Sequence, residues 1–178
     1  MFWLNVLQSL AGHDFPIRAC LTALQRDQLI DETGRLPELG MQYTFKSTLI
    51  RDAAYEGLLV NQRSTYHLKV AEFLESLFNP EDLARYFGML AYHYQGAGET
   101  KKELFYTLQA GEQAKRIYAN VEADDRFTHA LGLLDNLQNQ TTDADQLYAI
   151  KAQRFEILNE RREVFVSEMD RQLYLADA

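Results

Sequence analysis

Residues 43–75, YTFKSTLIRDAAYEGLLVNQRSTYHLKVAEFLE, decide the fold of this chain. Tyr43 and Phe45 alternate with polar neighbours, which is the period of a half-buried strand. The apolar period then lengthens to three or four residues, which indicates an amphipathic helix. That helix is carried by Leu49, Ile50, Ala53, Ala54 and Leu58, and after a break at 60–62 a second helix is carried by Leu68, Ala71, Phe73 and Leu74. The stretch therefore joins a strand to the first helix of a long helical tail.

The composition predicts a folded, helix-rich protein. Hydrophobic residues make up 47 % of the 178 residues, and the chain has only three prolines and nine glycines. The single cysteine, Cys20, excludes an internal disulfide, and its apolar neighbours predict a small buried side chain. This cysteine usage fits a reducing, cytoplasmic compartment.

The charge disfavours polyanionic partners. The net charge is −8, with five basic and seven acidic side chains in residues 1–62 and thirteen and nineteen in residues 63–178. Both parts would repel phosphates at long range, so nucleic acid is not the expected partner. Neither a membrane span of about 20 apolar residues nor a basic leader is visible.

The first 62 residues predict a winged-helix-like module with a small β-hairpin. Apolar spacing predicts one helix over residues 2–10 that stops at Gly12, and a second helix from Pro16 that is capped by Asp14. The first helix has no cap, and we interpret this as the mark of a domain taken from a larger protein. Strands are predicted at 29–32 and 41–46, with the loop TGRLPELG between them.

A DNA-binding version of such a module would place the helix before the hairpin in the major groove. Here that helix carries Arg18 and Arg26, and Asp27 offsets the second. A transcription regulator with a DNA-binding winged helix and a sensor array is therefore the alternative, and it is disfavoured by the charge.

Residues 63–178 predict an antiparallel array of about three helical hairpins, so that the whole fold class is mainly α. The predicted helices are 63–78, 81–96, 100–118, 121–137, 143–160 and 163–176. Small side chains recur where two helices of a hairpin would cross, as in tetratricopeptide-like (TPR-like) units of about 34 residues. The helix-crossing positions are Ala110, Gly111, Ala114, Ala123, Phe127 and Ala130.

No catalytic, cofactor-binding or metal-binding residues can be assigned from the sequence. The four histidines do not share a helical turn, and no phosphate-binding loop is present. Arg63 and His67 lie one helical turn apart just after the break, so that they either dock the first module onto the helical array or are solvated. The acidic pairs around Asp124 and Glu160 are interpreted as caps or solvated charges.

Residues from about 15 to 137 resemble a segment of the STAND-class signalling ATPases. The closest likeness is to members fused to class III adenylate or guanylate cyclases or to transcription regulators. The likeness is carried by Tyr43, Phe45, Leu49, Ile50, Ala54, Tyr55, Leu58, Leu59, Arg63, His67, Val70, Ala71, Leu74 and Glu75, and then by the segments LAYHY at 90–94 and AGEQA at 110–114. At 46–48 the chain has Lys-Ser-Thr, where the family has a basic residue, a histidine and a small residue.

The resemblance implies a position downstream of a nucleotide-binding domain. The chain would then be a regulatory, protein-interaction arm with no enzymatic activity and no cofactor of its own. Its partners would be proteins, either other domains of its parent or a peptide ligand. Assembly with further copies of itself stays open as an alternative.

Overall fold

The computed structural model describes residues 1–11 and 15–176, and within the last helix it describes side chains up to Met169. The chain divides into two compact units, unit 1 (Met1–Asn79) and unit 2 (Pro80–Ala178). Both are built mainly from helices, and unit 1 also holds a small antiparallel sheet, which confirms the mainly α fold class.

Unit 1 folds around a three-stranded antiparallel sheet in the order β1-β3-β2. Its elements are β1 (Phe2–Trp3), α1 (Leu4–Ala11), α2 (Ile17–Arg26), β2 (Ile30–Leu36), β3 (Gly40–Phe45), α3 (Thr48–Glu56) and α4 (Val60–Leu77). Phe2 pairs with Tyr43 across the sheet, and their rings stack with centroids 5.7 Å apart. One buried cluster of this unit, which joins the sheet to the first two helices, contains Leu4, Ile17, Leu21, Ile30 and Tyr43.

The hairpin turn between β2 and β3 is fastened to α1. Asn5 donates its side-chain amide to the Glu38 carbonyl at 2.7 Å, and its backbone N–H donates to the Leu39 carbonyl at 3.1 Å. Gly40 has φ +77°, and a Cβ there would lie 2.7 Å from Asn5 Oδ1. Only glycine fits both the left-handed backbone and this close approach.

Two predictions for this unit are wrong in detail. Phe2 and Trp3 form a strand and not the start of a helix, because their backbone pairs with β3. The predicted loop at 33–40 is strand as far as Leu36, since a register shift leaves Thr33 as an extra residue and pairing resumes with Gly34 opposite Gln42. The predicted helix stop at Gly12 and cap at Asp14 lie outside the described residues.

The division between the units follows Asn79, 17 residues beyond the predicted boundary at 62/63. α4 starts at Val60 and packs against α1, so its first turns share the core of unit 1. Leu74 and Ala71 are fully buried on this helix. The change of unit therefore coincides with Pro80, which begins a new helix and cannot continue an old one.

Unit 2 is a succession of helices in which each packs on the next. Its elements are α5 (Pro80–Leu83), a 3₁₀ turn (Ala84–Tyr86), α6 (Phe87–Ala97), α7 (Thr100–Arg116), α8 (Asn120–Gln140) and α9 (Ala144–Ala176). The main contacts run from α6 to α7, from α7 to α8 and from α8 to α9. Short connections make neighbours antiparallel. Each consecutive pair of helices from α6 to α9 therefore packs as a hairpin.

The predicted break at 160–163 is wrong, because α9 runs without interruption through 33 residues. The segment there is Glu-Arg-Arg-Glu, whose residues are good helix formers, and no glycine or proline follows Gly132. Asp143 caps this helix: its carboxylate accepts hydrogen bonds from the backbone N–H groups of Asp145 and Gln146. Long as it is, α9 lacks the apolar character of a membrane span, and so do the other described helices.

Candidate functional site

The six predicted helix-crossing residues all lie on α7 and α8, the pair of helices with the most extensive contact. Ala123, Phe127 and Ala130 are completely buried on α8, and Ala110 and Ala114 are buried on α7. Gly111 completes the set, since a Cβ at this position would lie 3.0 Å from Cε1 of Phe127 and 3.2 Å from Cβ of Arg126. The missing side chain of Gly111 is therefore what lets the Phe127 ring lie against α7.

A line of charged side chains joins α9 to α7 and α8. Lys115 of α7 donates to Glu160 at 2.7 Å and also to Glu163. Arg161 donates to both carboxylate oxygens of Asp124. We call these five residues the charged seam; they fix the register of α9 against its neighbours.

The charged seam perturbs the pKa values of its own members. Burial opposes the charge on Lys115, but its hydrogen bonds to Glu160 and Glu163 outweigh burial and raise its pKa. The same hydrogen bond from Lys115 lowers the pKa of Glu163. The hydrogen bond to Asp124 raises the pKa of Arg161. These directions favour the charged forms of Lys115, Arg161 and Glu163, so the charged seam stabilises the packing of α9.

Arg63 and His67 bind the end of α3. Arg63 donates to the carbonyls of Leu58 and Glu56, both at 2.9 Å, and its guanidinium lies 4.8 Å from the centre of the Tyr55 ring. The His67 Nε2 lies 3.0 Å from the Tyr55 hydroxyl. His67 is buried, which excludes the alternative of two solvated side chains. We call Tyr55, Arg63 and His67 the α3–α4 latch, since these contacts join two helices of unit 1.

The stability of unit 1 is expected to fall as the pH drops below about 6.5, because burial lowers the pKa of His67 below its ordinary value. Below 6.5 the unfolded chain takes up a proton that the folded latch does not accept. The free energy of unfolding then decreases by up to about 1.4 kcal/mol per pH unit, until the folded pKa is reached.

Urea unfolding of the chain and of His67→Gln between pH 8 and pH 5, followed by the fluorescence of Trp3, measures this effect. The glutamine variant keeps a side-chain hydrogen-bonding group but cannot take up a proton in this range. Its stability should depend less steeply on pH, and parallel curves for the two proteins would contradict the assignment.

An apolar groove of about 560 Å³ opens on unit 1. It is lined by side chains of α1, α2, α3, α4 and the sheet, and its polar members are Cys20, Arg51, Tyr55 and Tyr66. Cys20 is exposed here, so its predicted burial is wrong: the residues of α2 that enter the core are Ile17 and Leu21. The groove offers a mainly apolar surface with a thiol and one guanidinium at its edge.

The turn between α7 and α8 displays a second apolar cluster. Ile117, Tyr118 and Val121 are each more than two-thirds exposed. Tyr118 has φ +59°, a left-handed conformation that is uncommon for a residue with a bulky side chain. The cavity beside this turn, of about 660 Å³, is lined by the turn itself, by side chains of α8 that include Glu122, Asp125 and Arg126, and by Glu168 of α9.

The last helix exposes apolar side chains on the side away from α8. Ile157 and Val164 enter the core of unit 2, so they define the covered side of α9. The exposed set, which we call the open face of α9, consists of Tyr148, Phe155, Leu158, Phe165, Val166 and Met169. The sequence analysis missed this face, although its spacing of three, four and seven residues was a usable signal.

The remaining titratable pair is His129 of α8 with Glu103 of α7, whose Nε2 and Oε1 atoms are 2.7 Å apart. Glu103 is buried and His129 is partly exposed. Across residues 1–11 and 15–169, no three His, Cys, Asp or Glu side chains come together in a way that could hold a metal ion.

Comparison with known proteins gives no relative, since no family model, no curated protein and no solved structure matches the chain.

Proposed function

We propose that the chain is a non-catalytic, protein-binding regulatory arm of a larger STAND-type signalling ATPase or nucleotide cyclase in the cytoplasm. Unit 1 is a winged-helix-like adaptor and unit 2 a TPR-like array. The observation that carries the proposal is that stacked helices end in α9, a helix with one covered apolar side and one open apolar face. Exposed apolar surface of this extent is typical of protein-interaction sites.

The order of elements in unit 1 supports the adaptor. The β2–β3 hairpin follows two short helices and therefore occupies the position of a wing. β3 is central in the sheet and pairs with the strand that precedes both helices, which makes a compact helix–sheet layer. The α3–α4 latch then fixes the first helix that follows the hairpin.

The α7–α8 crossing supports the array. Repeats of this kind bury a continuous core by stacking, and they leave extended surfaces free for partners. Gly111 and Phe127 show the close, small-residue contact that such stacking requires. When a scaffold of this type binds a partner, it changes the affinity or the conformational equilibrium of a linked domain by the coupling free energy between the two sites.

The test is to add the purified chain in trans to the full-length product of its own gene. The added arm should compete with the resident arm and change the rate of nucleotide hydrolysis or cyclisation by about fivefold or more at saturation. A gene product without a nucleotide-binding domain would contradict the proposal. So would a rate that the added chain leaves within twofold.

The chain is expected not to bind duplex DNA, even in about 50 mM salt, where phosphate contacts are strongest. The exposed Arg26 of α2 is paired with Asp27, at 3.2 Å, which leaves little positive charge for a groove. A mobility-shift titration with random duplex DNA measures this. A salt-dependent shift that Arg18→Ala abolishes would favour the alternative, a DNA-binding winged helix of a transcription regulator.

A further inference from the structure

The open face of α9 has the residue spacing of a helix surface that packs along a second helix. Tyr148, Phe155, Arg162 and Met169 recur every seven residues, and so do Lys151, Leu158 and Phe165. The two series are offset by three residues, which is the a and d pattern of a helix that packs along a second helix. Five of these seven positions are apolar, and the pattern extends over three heptads.

The other long helices of unit 2 pack against neighbouring helices. α7 packs on both α6 and α8, and α8 packs on both α7 and α9. α9 packs on α8 through Ile157 and Val164, while Phe155 and Met169 on the open face are about two-thirds exposed. Because α7 and α8 each pack against a helix on two sides, the open face of α9 also fits an α-helix.

The charges on the open face define the chemistry of that helix. Lys151 and Arg162 occupy heptad positions within the open face, and both are exposed. Among the described side chains of α9, no carboxylate shares these heptad positions. Glu160 and Glu163 are hydrogen-bonded to Lys115 in the charged seam, and Glu163 also interacts with Arg162. At the heptad positions themselves the charge is positive, which favours carboxylates on the occupant.

We propose that the open face of α9 binds an amphipathic helix of a partner protein that carries Asp or Glu beside its apolar stripe. This inference rests on the proposed function and names the surface and the partner class. Carboxylates of the partner would meet Lys151 and Arg162, and its apolar side chains would cover Phe155 and Leu158. Lys151 and Arg162 select against a basic helix, because burying an unpaired positive charge between α9 and its partner costs free energy.

Charge also separates this partner from two other occupants. A second copy of the chain would place its own Lys151 and Arg162 against the open face of α9. It would bring no carboxylate at the heptad positions. An anionic membrane would face the whole of unit 2, which holds eleven basic and seventeen acidic side chains and repels it, whereas a single helix places its carboxylates only against Lys151 and Arg162. An acidic amphipathic helix is the occupant that satisfies both the apolar and the charged positions.

The test uses two synthetic peptides of about three heptads, each with leucine at positions a and d. One has glutamate at the flanking e and g positions, and the other has lysine there. The acidic peptide should bind the chain at least about tenfold more tightly than the basic one, by isothermal titration calorimetry or fluorescence anisotropy. Equal binding of the two peptides, or binding of neither, would overturn the proposal.

Matched variants locate the site. Phe155→Ser and Lys151→Glu should each weaken binding of the acidic peptide by about tenfold. Phe105→Ser and Lys101→Glu are the controls, since they make the same changes on exposed positions of α7, and they should alter binding by less than about twofold. Circular dichroism checks that all four variants keep the helical content of the parent chain. Equal losses in test and control variants would overturn the assignment to α9.

Two further measurements exclude the other occupants. Sedimentation equilibrium should give a monomer, and a dimer that Phe155→Ser dissociates would replace the partner helix with a second copy. Co-sedimentation with vesicles of anionic lipid should recover no chain, and recovery that the same variant abolishes would replace it with a membrane. If the added chain regulates its parent but the acidic peptide fails to bind, the proposed function survives and this surface assignment falls.

Discussion

Replacing Phe127 with alanine is expected to lower the free energy of unfolding of unit 2 by about 3–5 kcal/mol. The ring is 1 % exposed and lies in the buried core that α7, α8 and α9 share. Gly111 has no side chain that could move into the space, so the cavity cannot collapse easily. The lost burial of the ring and the uncollapsed cavity therefore act together.

Urea unfolding followed by far-ultraviolet circular dichroism measures this change. The chain has a single tryptophan, Trp3, which is buried in unit 1, so its fluorescence follows the other unit in the same sample. Phe105→Ala is the matched control: this ring is about half exposed on α7, and its loss should cost less than about 1 kcal/mol. A similar loss in both variants would contradict a central role for Phe127.

A double-mutant cycle tests the contact itself. Gly111→Ala alone is expected to cost about 1–2 kcal/mol, because its Cβ would lie 3.0 Å from the Phe127 ring. In the Phe127→Ala background the same change should be close to neutral, since alanine is the better helix former and the ring is gone. The interaction energy of the cycle should therefore be at least about 1 kcal/mol, and additive effects would contradict the contact.

The sequence predicts local pairings in this chain well and distant ones poorly. The six residues of the α7–α8 crossing lie within 21 positions, and their small side chains repeat at helical spacing. The partners in the charged seam are 37 to 48 residues apart, so no spacing rule could pair Lys115 with Glu163 or Asp124 with Arg161. From the sequence alone these acids therefore have the pattern of caps or solvated charges.

The errors in unit 1 have the same origin. Phe2 and Trp3 have helical spacing with Val6, but pairing with β3 decides their backbone conformation, and β3 lies about 40 residues away. Cys20 stands among apolar residues in the sequence, yet it lies on the open side of α2. In α9, the predicted break at 160–163 is wrong, because the acids there bind Lys115 on another helix and do not mark helix ends.

Arg63→Ala is expected to lower the free energy of unfolding of unit 1 by about 2–3 kcal/mol. The guanidinium binds the carbonyls of Glu56 and Leu58, at the end of α3, where no further helical N–H is available. Hydrogen bonds from a charged donor contribute about 1.5–3 kcal/mol, and the contact with the Tyr55 ring adds up to about 1 kcal/mol. Arg63→Lys should recover only part of the loss, because an ammonium group cannot span two carbonyls as a planar guanidinium does.

Arg51→Ala is the control, since Arg51 pairs with its neighbour Asp52 and both side chains are about half exposed, so its loss should cost less than about 0.5 kcal/mol. Trp3 fluorescence and far-ultraviolet circular dichroism then distinguish a latch within unit 1 from the predicted docking of the units. A latch lowers the midpoint followed by Trp3 fluorescence and leaves the unfolding of unit 2 unchanged. Docking would shift both transitions, because each unit would lose the stabilisation that the other gives it. The contacts of Arg63 with α3 lead us to expect the first result.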